Sequence, residues 1–122
     1  MPPLLIVVVD DDESVRESLP DLLKEFGFAA QAFPSGEAFL ASGLVEATRC
    51  LILDLAMPGM RGTELQRELR RRGHDIPVIF ITAHGDAADR PRLIRQGAVD
   101  CLLKPFSEAD LLRALSTALP VE

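Results

Sequence analysis

The sequence predicts an α/β fold in which helices cover both faces of a parallel β-sheet. Short apolar runs alternate with helical patterns five times along the chain, and this alternation is typical of strands joined by right-handed helical crossovers. The runs at 4–9 and 51–53 show no polar–apolar alternation, which indicates strands buried on both faces. With 122 residues, the chain is expected to form one domain spanning residues 1–122.

Five strands are predicted in chain order. Leu4–Val9 is rich in β-branched residues, which favour a central strand. Ala29–Phe33 is less apolar and is expected at an edge of the sheet. The remaining strands are predicted at Arg49–Leu53, Pro77–Ile81 and Val99–Leu103.

A helix is predicted after each strand. The first has one apolar face, formed by Val15, Leu19, Leu22, Leu23 and Phe26, and Gly27 ends it. Ser35 and Ser107 are expected to cap the second and fifth helices. The third helix is predicted at Thr63–Arg72, and the fourth must accommodate Pro91 in its first turn.

The composition excludes several classes of function. The formal net charge is -6 and the pI is about 4.9, which disfavours direct binding to nucleic acids and to anionic membranes. The apolar run Leu4–Val9 is too short to cross a bilayer, and no signal-peptide pattern opens the chain. Cys50 and Cys101 fall in predicted strands without metal-ligand spacing, so reduced core thiols and a cytoplasmic location are expected.

Polar residues follow the predicted strands where each strand ends. Five βα units of this length favour the flavodoxin-like strand order 2-1-3-4-5, a doubly wound three-layer sandwich. In that order strands 1 and 3 are neighbours, so Asp10, Asp11 and Asp54 are expected to meet at the switch point. Strands 4 and 5 bring Thr82 and Lys104 to the same edge.

Three converging carboxylates repel one another, and a divalent cation would relieve that repulsion. Oxygen ligands with room for water and phosphate suit Mg²⁺. Asp54 can then act as a nucleophile on phosphorus, while Thr82 and Lys104 bind the phosphoryl oxygens. Each residue also has a simpler interpretation. The acidic run 10–12 can be a helix cap, Asp54 and Thr82 can be loop or turn residues, and Lys104 can be a surface lysine.

Four motifs together resemble those of response-regulator receiver domains. The acidic motif is Val9–Glu13, and the phosphoacceptor motif is Leu53–Gly62. Ile81–Ala83 and Leu103–Phe106 are similar to the fourth- and fifth-strand motifs of the family. The resemblance extends over essentially the whole chain and implies a CheY-like fold.

The resemblance also implies a role for each site residue. Asp54 would be the phosphoacceptor, Asp10, Asp11, Asp54 and the Ala56 carbonyl would hold Mg²⁺, and Thr82 and Lys104 would bind the phosphoryl group. Thr82 and the residue at position 101 would form the conformational switch. The family commonly has an aromatic residue at that second position, whereas this chain has Cys101, which puts a standard switch in doubt. Pro91 lies where the family usually has a longer fourth helix, and it also puts a standard switch in doubt.

The resemblance further implies partners. A histidine kinase would dock near Val15, Ser18, Pro105 and Phe106, and helix 4 with strand 5 would form a phosphorylation-dependent homodimer. The segments 82–86 and 97–100 are similar to the FixJ branch, whose members usually carry a C-terminal helix-turn-helix domain. Binding to DNA is therefore expected only through an output domain that this chain lacks.

Other functions remain as alternatives at this point. A stand-alone phosphorelay protein and a pseudo-receiver used only for binding share the same fold. A haloacid-dehalogenase-type phosphatase needs a second Asp two residues after the nucleophile, where this chain has Ala56. A flavin or nucleotide site is disfavoured because no glycine-rich phosphate loop follows strand 1.

Overall fold

A computed structural model describes residues 3–83 and 89–119 of the chain. Within those residues the strands are β1 (Leu5–Val9), β2 (Ala29–Phe33), β3 (Thr48–Asp54), β4 (Val78–Thr82) and β5 (Asp100–Leu103). The helices are α1 (Glu13–Glu25), α2 (Gly36–Leu40), α3 (Gly62–Arg71), α4 (Asp89–Arg95) and α5 (Glu108–Ala118). The predicted alternation of strands and helices is confirmed, and the ends of the elements differ from the predictions by only a few residues.

The five strands form one parallel sheet in the order β2-β1-β3-β4-β5. The predicted fold class and strand order are therefore confirmed, including the edge position of β2. The sheet separates two apolar clusters: α1 and α5 pack on one face, and α2, α3 and α4 pack on the other. Alternate residues of β1 and β3 belong to opposite clusters, which explains why their sequences show no polar–apolar alternation.

Side-chain caps begin three of the helices. The Ser35 hydroxyl accepts a hydrogen bond from the Ala38 N–H, and the Ser107 hydroxyl accepts one from the Asp110 N–H, as predicted. The Asp12 carboxylate caps α1 by accepting from the N–H of Ser14 at 2.9 Å. Pro91 is the third residue of the described part of α4, which agrees with its expected place in the first turn.

The two cysteines have different environments. Cys50 on β3 is fully buried, and burial raises the pKa of its thiol to about 12. Cys101 is a free thiol that packs against the core cluster on the α2–α4 side, but it is only half-buried and thus lies at the edge of the core. The reason is that β5 is an edge strand with a pairing partner on one side only.

None of the helices formed by residues 3–83 and 89–119 combines the length and the hydrophobicity that crossing a bilayer requires.

Candidate active site

The carboxyl ends of β1, β3, β4 and β5 bring the predicted site residues together. Asp10 follows β1, Asp54 ends β3, Thr82 ends β4, and Lys104 follows β5. Asp10, Asp54 and Thr82 are 0%, 6% and 4% exposed, whereas Asp11 lies at the surface. Burying an ionisable group costs free energy unless the group is paired or neutralised. Buried acids at the end of a parallel sheet therefore indicate a functional site.

Three carboxylates form a compact acidic cluster. One oxygen from each of Asp10, Asp11 and Asp54 lies within 4.8 Å of the others. These are hard oxygen donors, two of them buried and one facing solvent, and they suit a small divalent cation that keeps some of its waters. The donor set therefore fits Mg²⁺.

Lys104 is the cation that the fold places against this cluster. Its Nζ donates to Asp10 Oδ2 at 2.8 Å and lies 4.0 Å from Asp54 Oδ2. Burial alone would lower the pKa of the Lys104 ammonium, but the hydrogen bond and charge of Asp10, together with Asp54, raise it above its usual value. Lys104 therefore stays charged at any physiological pH.

One lysine does not neutralise the cluster. Burial raises the pKa of Asp54 to about 7, and the neighbouring charge of Asp10 acts in the same direction. Lys104 and the Ala56 N–H, which donates to Asp54 Oδ1 at 3.2 Å, oppose that rise only in part. Without a metal, Asp54 is thus partly protonated at neutral pH, and a cation that removes the repulsion would restore the nucleophilic carboxylate.

The three acids of the loop between β1 and α1 have different contacts. Asp10 Oδ1 accepts a hydrogen bond from the Asp12 N–H at 2.9 Å, and the guanidinium of Arg16 donates to the Asp10 carbonyl at 3.0 Å. The Asp12 carboxylate accepts both from the N–H and from the hydroxyl of Ser14, which lowers its pKa. The Asp12 carboxylate is therefore occupied in capping α1, although Asp12 lines the cavity, whereas Asp10 and Asp11 belong to the three-carboxylate cluster.

A cavity of about 740 Å³ opens above Asp54. Its lining includes the predicted residues Asp11, Asp54, Ala56, Thr82 and Lys104. Three further polar lining residues, Arg61, Thr63 and Arg92, had no role in the sequence-based prediction. Arg61 lies inside the phosphoacceptor motif and Thr63 directly follows it, so the motif could have indicated that both residues lie near Asp54. Arg92 had no such signal.

The predicted switch residues lie on neighbouring strands. Thr82 is buried at the end of β4, and Cys101 on β5 pairs in register with Phe80. Cys101 also lines a second groove of about 480 Å³ together with Arg90, Asp100 and Phe106. Residues 84–88, which include part of the FixJ-like motif at 82–86, lie outside the described residues.

The predicted kinase-docking residues lie on α1 and in the segment between β5 and α5. Val15 on α1 and Phe106 before α5 both pack against the core cluster under these two helices. Ser18 and Pro105 are exposed, and the Ser18 hydroxyl donates to the Ser14 carbonyl at 2.7 Å. Val15 and Phe106 thus share one face of the sheet, and Pro105 directly follows Lys104 in the chain.

Gly62 allows α3 to begin directly against the end of β3. A Cβ at this position would lie 2.6 Å from the Asp54 carbonyl oxygen and 3.0 Å from the Phe80 ring. Gly62→Ala should therefore lower the free energy of unfolding by about 1–3 kcal/mol. Gly36→Ala, at the first residue of α2, should cost less because the closest atom there is the movable Met60 sulfur at 3.0 Å. Urea unfolding measures both variants, and equal losses would contradict this account.

Comparison with known proteins assigns the chain to a family. The family model described as the response regulator receiver domain matches residues 6–116, which include every site residue above. This chain belongs to the response regulator receiver family. Receiver domains of that family act in two-component signalling, and the similarity to FixJ agrees with the FixJ-like branch predicted from the motifs.

Relatives of this receiver domain are response regulators of greater length. It is 45% identical over 115 residues to the response regulator protein TmoT of Ectopseudomonas mendocina, covering 94% of this chain and 52% of TmoT. It is 42% identical to the transcriptional regulatory protein FixJ of Azorhizobium caulinodans, covering 95% of this chain and 55% of FixJ. The chain thus spans about half the length of these curated relatives.

Solved structures agree with the receiver fold. The response regulator StyR superposes with a TM-score of 0.86 at 44% identity, covering 96% of this chain and 59% of StyR. The crystal structure of FixJ-N gives a TM-score of 0.82 at 40% identity, covering 97% of this chain and 94% of that one.

Proposed function

We propose that residues 1–122 form a phosphoryl-accepting receiver domain in which Asp54 is the phosphoacceptor. The observation that supports this proposal best is the placement of Asp54 beside Asp10, Asp11 and the ammonium of Lys104, at the floor of an open cavity. A carboxylate that only capped a loop would not need two further acids and a lysine converging on it. This arrangement provides both a nucleophile and charges that match a phosphoryl group.

Each residue contributes separately to the proposed transfer. Asp10, Asp11 and Asp54, with the Ala56 carbonyl, would hold Mg²⁺, which when bound supplies positive charge to the phosphoryl oxygens. Lys104 presents its ammonium to the same oxygens after exchanging part of its contact with Asp10. Thr82 offers a hydroxyl from the end of β4.

The proposed donor is the phosphohistidine of a sensor kinase. An oxygen of the Asp54 carboxylate attacks phosphorus, and the bond from phosphorus to the imidazole nitrogen breaks. The electron pair of that bond stays with the imidazole, which takes up a proton. The domain catalyses only its own phosphorylation and dephosphorylation, and the kinase docks on the face formed by Val15, Ser18, Pro105 and Phe106.

The proposed consequence of phosphorylation is a changed surface at α4 and β5. Thr82 and Cys101 link the phosphoryl site to this surface through the paired strands β4 and β5. The changed surface promotes a homodimer, and transcription is controlled through a DNA-binding output domain like those of the longer regulators. The proposed setting is the cytoplasm, where sensor kinases present their phosphohistidine.

The test of this function is phosphorylation by a small donor. The domain is incubated with acetyl phosphate and Mg²⁺, and its intact mass is measured. We expect one phosphoryl adduct that requires Mg²⁺, is lost on treatment with hydroxylamine and is absent in Asp54→Asn. An unmodified wild-type domain, or an adduct of equal yield on another residue in the wild type, would overturn the proposal.

A further inference from the structure

Two arginines line the cavity above Asp54 and belong to none of the predicted roles. Arg61 immediately precedes α3, and Arg92 lies on α4, so the two residues line the cavity from different elements. Among the described lining residues, Lys104 is the third basic one. The acids Asp11, Asp12 and Asp54 line the same space.

The three basic residues differ in their partners. Lys104 is bound to the buried Asp10 at 2.8 Å. The guanidinium of Arg61 makes no hydrogen bond or ion pair within residues 3–83 and 89–119. Its backbone N–H donates to Glu64 Oε1 at 3.2 Å, and its carbonyl accepts from the Leu65 N–H at 3.0 Å. Arg92 contacts Asp89 one turn earlier on its own helix, at 3.1 Å, with half of its side chain exposed. Such exposed pairs contribute little, so Arg92 is free to exchange Asp89 for another anion.

The charge distribution of the cavity poses a problem for any phosphodonor. Phosphodonors are anions, and the floor of the cavity is acidic, so an approaching donor is repelled until cations compensate. Lys104 compensates at the floor. Arg61 and Arg92 are the described basic residues that the fold adds to the lining without committing them to a buried acid.

A simpler interpretation is that both arginines are ordinary solvated residues. The same two helices offer a comparison, because Arg67 on α3 and Arg95 on α4 are also exposed and lack an acidic partner among the described residues. Neither of these two lines the cavity. Arg61 and Arg92 therefore differ from ordinary helix-surface arginines of this domain in where they sit, and the difference is open to measurement.

We propose that Arg61 and Arg92 form a cationic rim that binds the anionic phosphodonor and positions it for transfer to Asp54. The inference rests on the proposed function and extends it to donor choice. The two arginines are positioning residues; the reacting oxygen belongs to Asp54. A rim of this kind favours dianionic donors over monoanionic ones, because the attraction grows with donor charge.

The experiment compares four single variants of equal charge change. Arg61→Gln and Arg92→Gln remove the rim, and Arg67→Gln and Arg95→Gln are matched controls on the same helices. The apparent second-order rate constant of phosphorylation is measured by intact mass with Mg²⁺, at low and high salt. Dianionic acetyl phosphate and monoanionic phosphoramidate serve as donors, and thermal unfolding of each variant shows that it is folded.

We expect each rim variant to lose about two- to fivefold in rate with acetyl phosphate at low salt, the range of an exposed ion pair. The loss should be smaller with phosphoramidate and should shrink at high salt. A further variant, Arg92→Lys, keeps the positive charge and should therefore retain most of the wild-type rate. Both control variants should match the wild type.

Four other outcomes would overturn the inference. The rate of phosphorylation could fall equally in the rim and control variants, or it could fall in neither rim variant. It could fall by an amount independent of salt and donor charge, or Arg92→Lys could be as slow as Arg92→Gln. A wild-type domain that accepts no phosphoryl group from either donor would overturn the proposed function as well. The two failures are therefore distinguishable.

Discussion

Asp54→Asn should make the metal-free domain more stable than the wild type, by roughly 2–4 kcal/mol at pH 8. The native carboxyl group has a pKa of about 7, because it is buried and faces Asp10, whereas in the unfolded chain it ionises near its ordinary value of 3.8. Folding at pH 8 therefore forces a charge into an unfavourable place. Asparagine has nearly the same shape and carries no charge.

The same reasoning predicts a pH dependence with a definite sign. Between about pH 4 and pH 7 the native Asp54 retains a proton that the unfolded chain has released, so the free energy of unfolding of the metal-free wild type should fall as the pH rises. Below pH 4 this contribution is constant, and above pH 7 the full penalty is present. In Asp54→Asn this contribution to the pH dependence should disappear. Urea unfolding in a chelator, repeated across the range, measures the effect.

Asp12→Asn is the matched control, because a general reduction of the net charge of -6 would also stabilise an acidic protein. Asp12 is exposed, and its hydrogen bonds from Ser14 lower its pKa, so its charge is not unfavourable in the native state. Asparagine also caps helices well. If both variants gained equal stability, the effect would belong to overall charge, and the strain assigned to Asp54 would be refuted.

The fold was predictable because its signals are local and repeated. Uninterrupted apolar strands such as Leu4–Val9 indicate burial on both faces, and helices between them require parallel pairing, which leaves few possible strand orders. The convergence of Asp10 and Asp54 then follows from the strand order alone. The sheet determines the position of a residue at the end of a strand, independently of the conformation of the loops.

What sequence reasoning missed depends on geometry beyond the strand ends. Arg92 lines the cavity because α4 is placed beside it, and no nearby motif encodes that placement. The contact of Lys104 with Asp10, at 2.8 Å rather than 4.0 Å to Asp54, depends on distances of an ångström or so. The partial exposure of Cys101 was not predicted because a short apolar run looks alike in an edge strand and in a central one.

The second large effect concerns metal binding. Asp11→Asn should weaken Mg²⁺ binding at least about tenfold, since removing a direct ligand exceeds the usual effect of removing a residue that only orients one. Asp12→Asn should leave Mg²⁺ affinity nearly unchanged. The two acids are adjacent and both exposed, but only Asp11 belongs to the three-carboxylate cluster, while the Asp12 carboxylate is held by the N–H and hydroxyl of Ser14.

The measurement uses unfolding, because the chain contains neither Trp nor Tyr to report on the metal by fluorescence. A ligand that binds only the native state raises the free energy of unfolding by RT ln(1 + [Mg²⁺]/Kd), so the stabilisation begins at a Mg²⁺ concentration near Kd. The affinity is therefore obtained from the dependence of the transition temperature on Mg²⁺ concentration. This dependence is independent of any stability that Asp11→Asn gains in the metal-free state through reduced repulsion. Equal weakening in Asp11→Asn and Asp12→Asn would show that the metal responds to the total charge of the β1–α1 loop rather than to the clustered carboxylates.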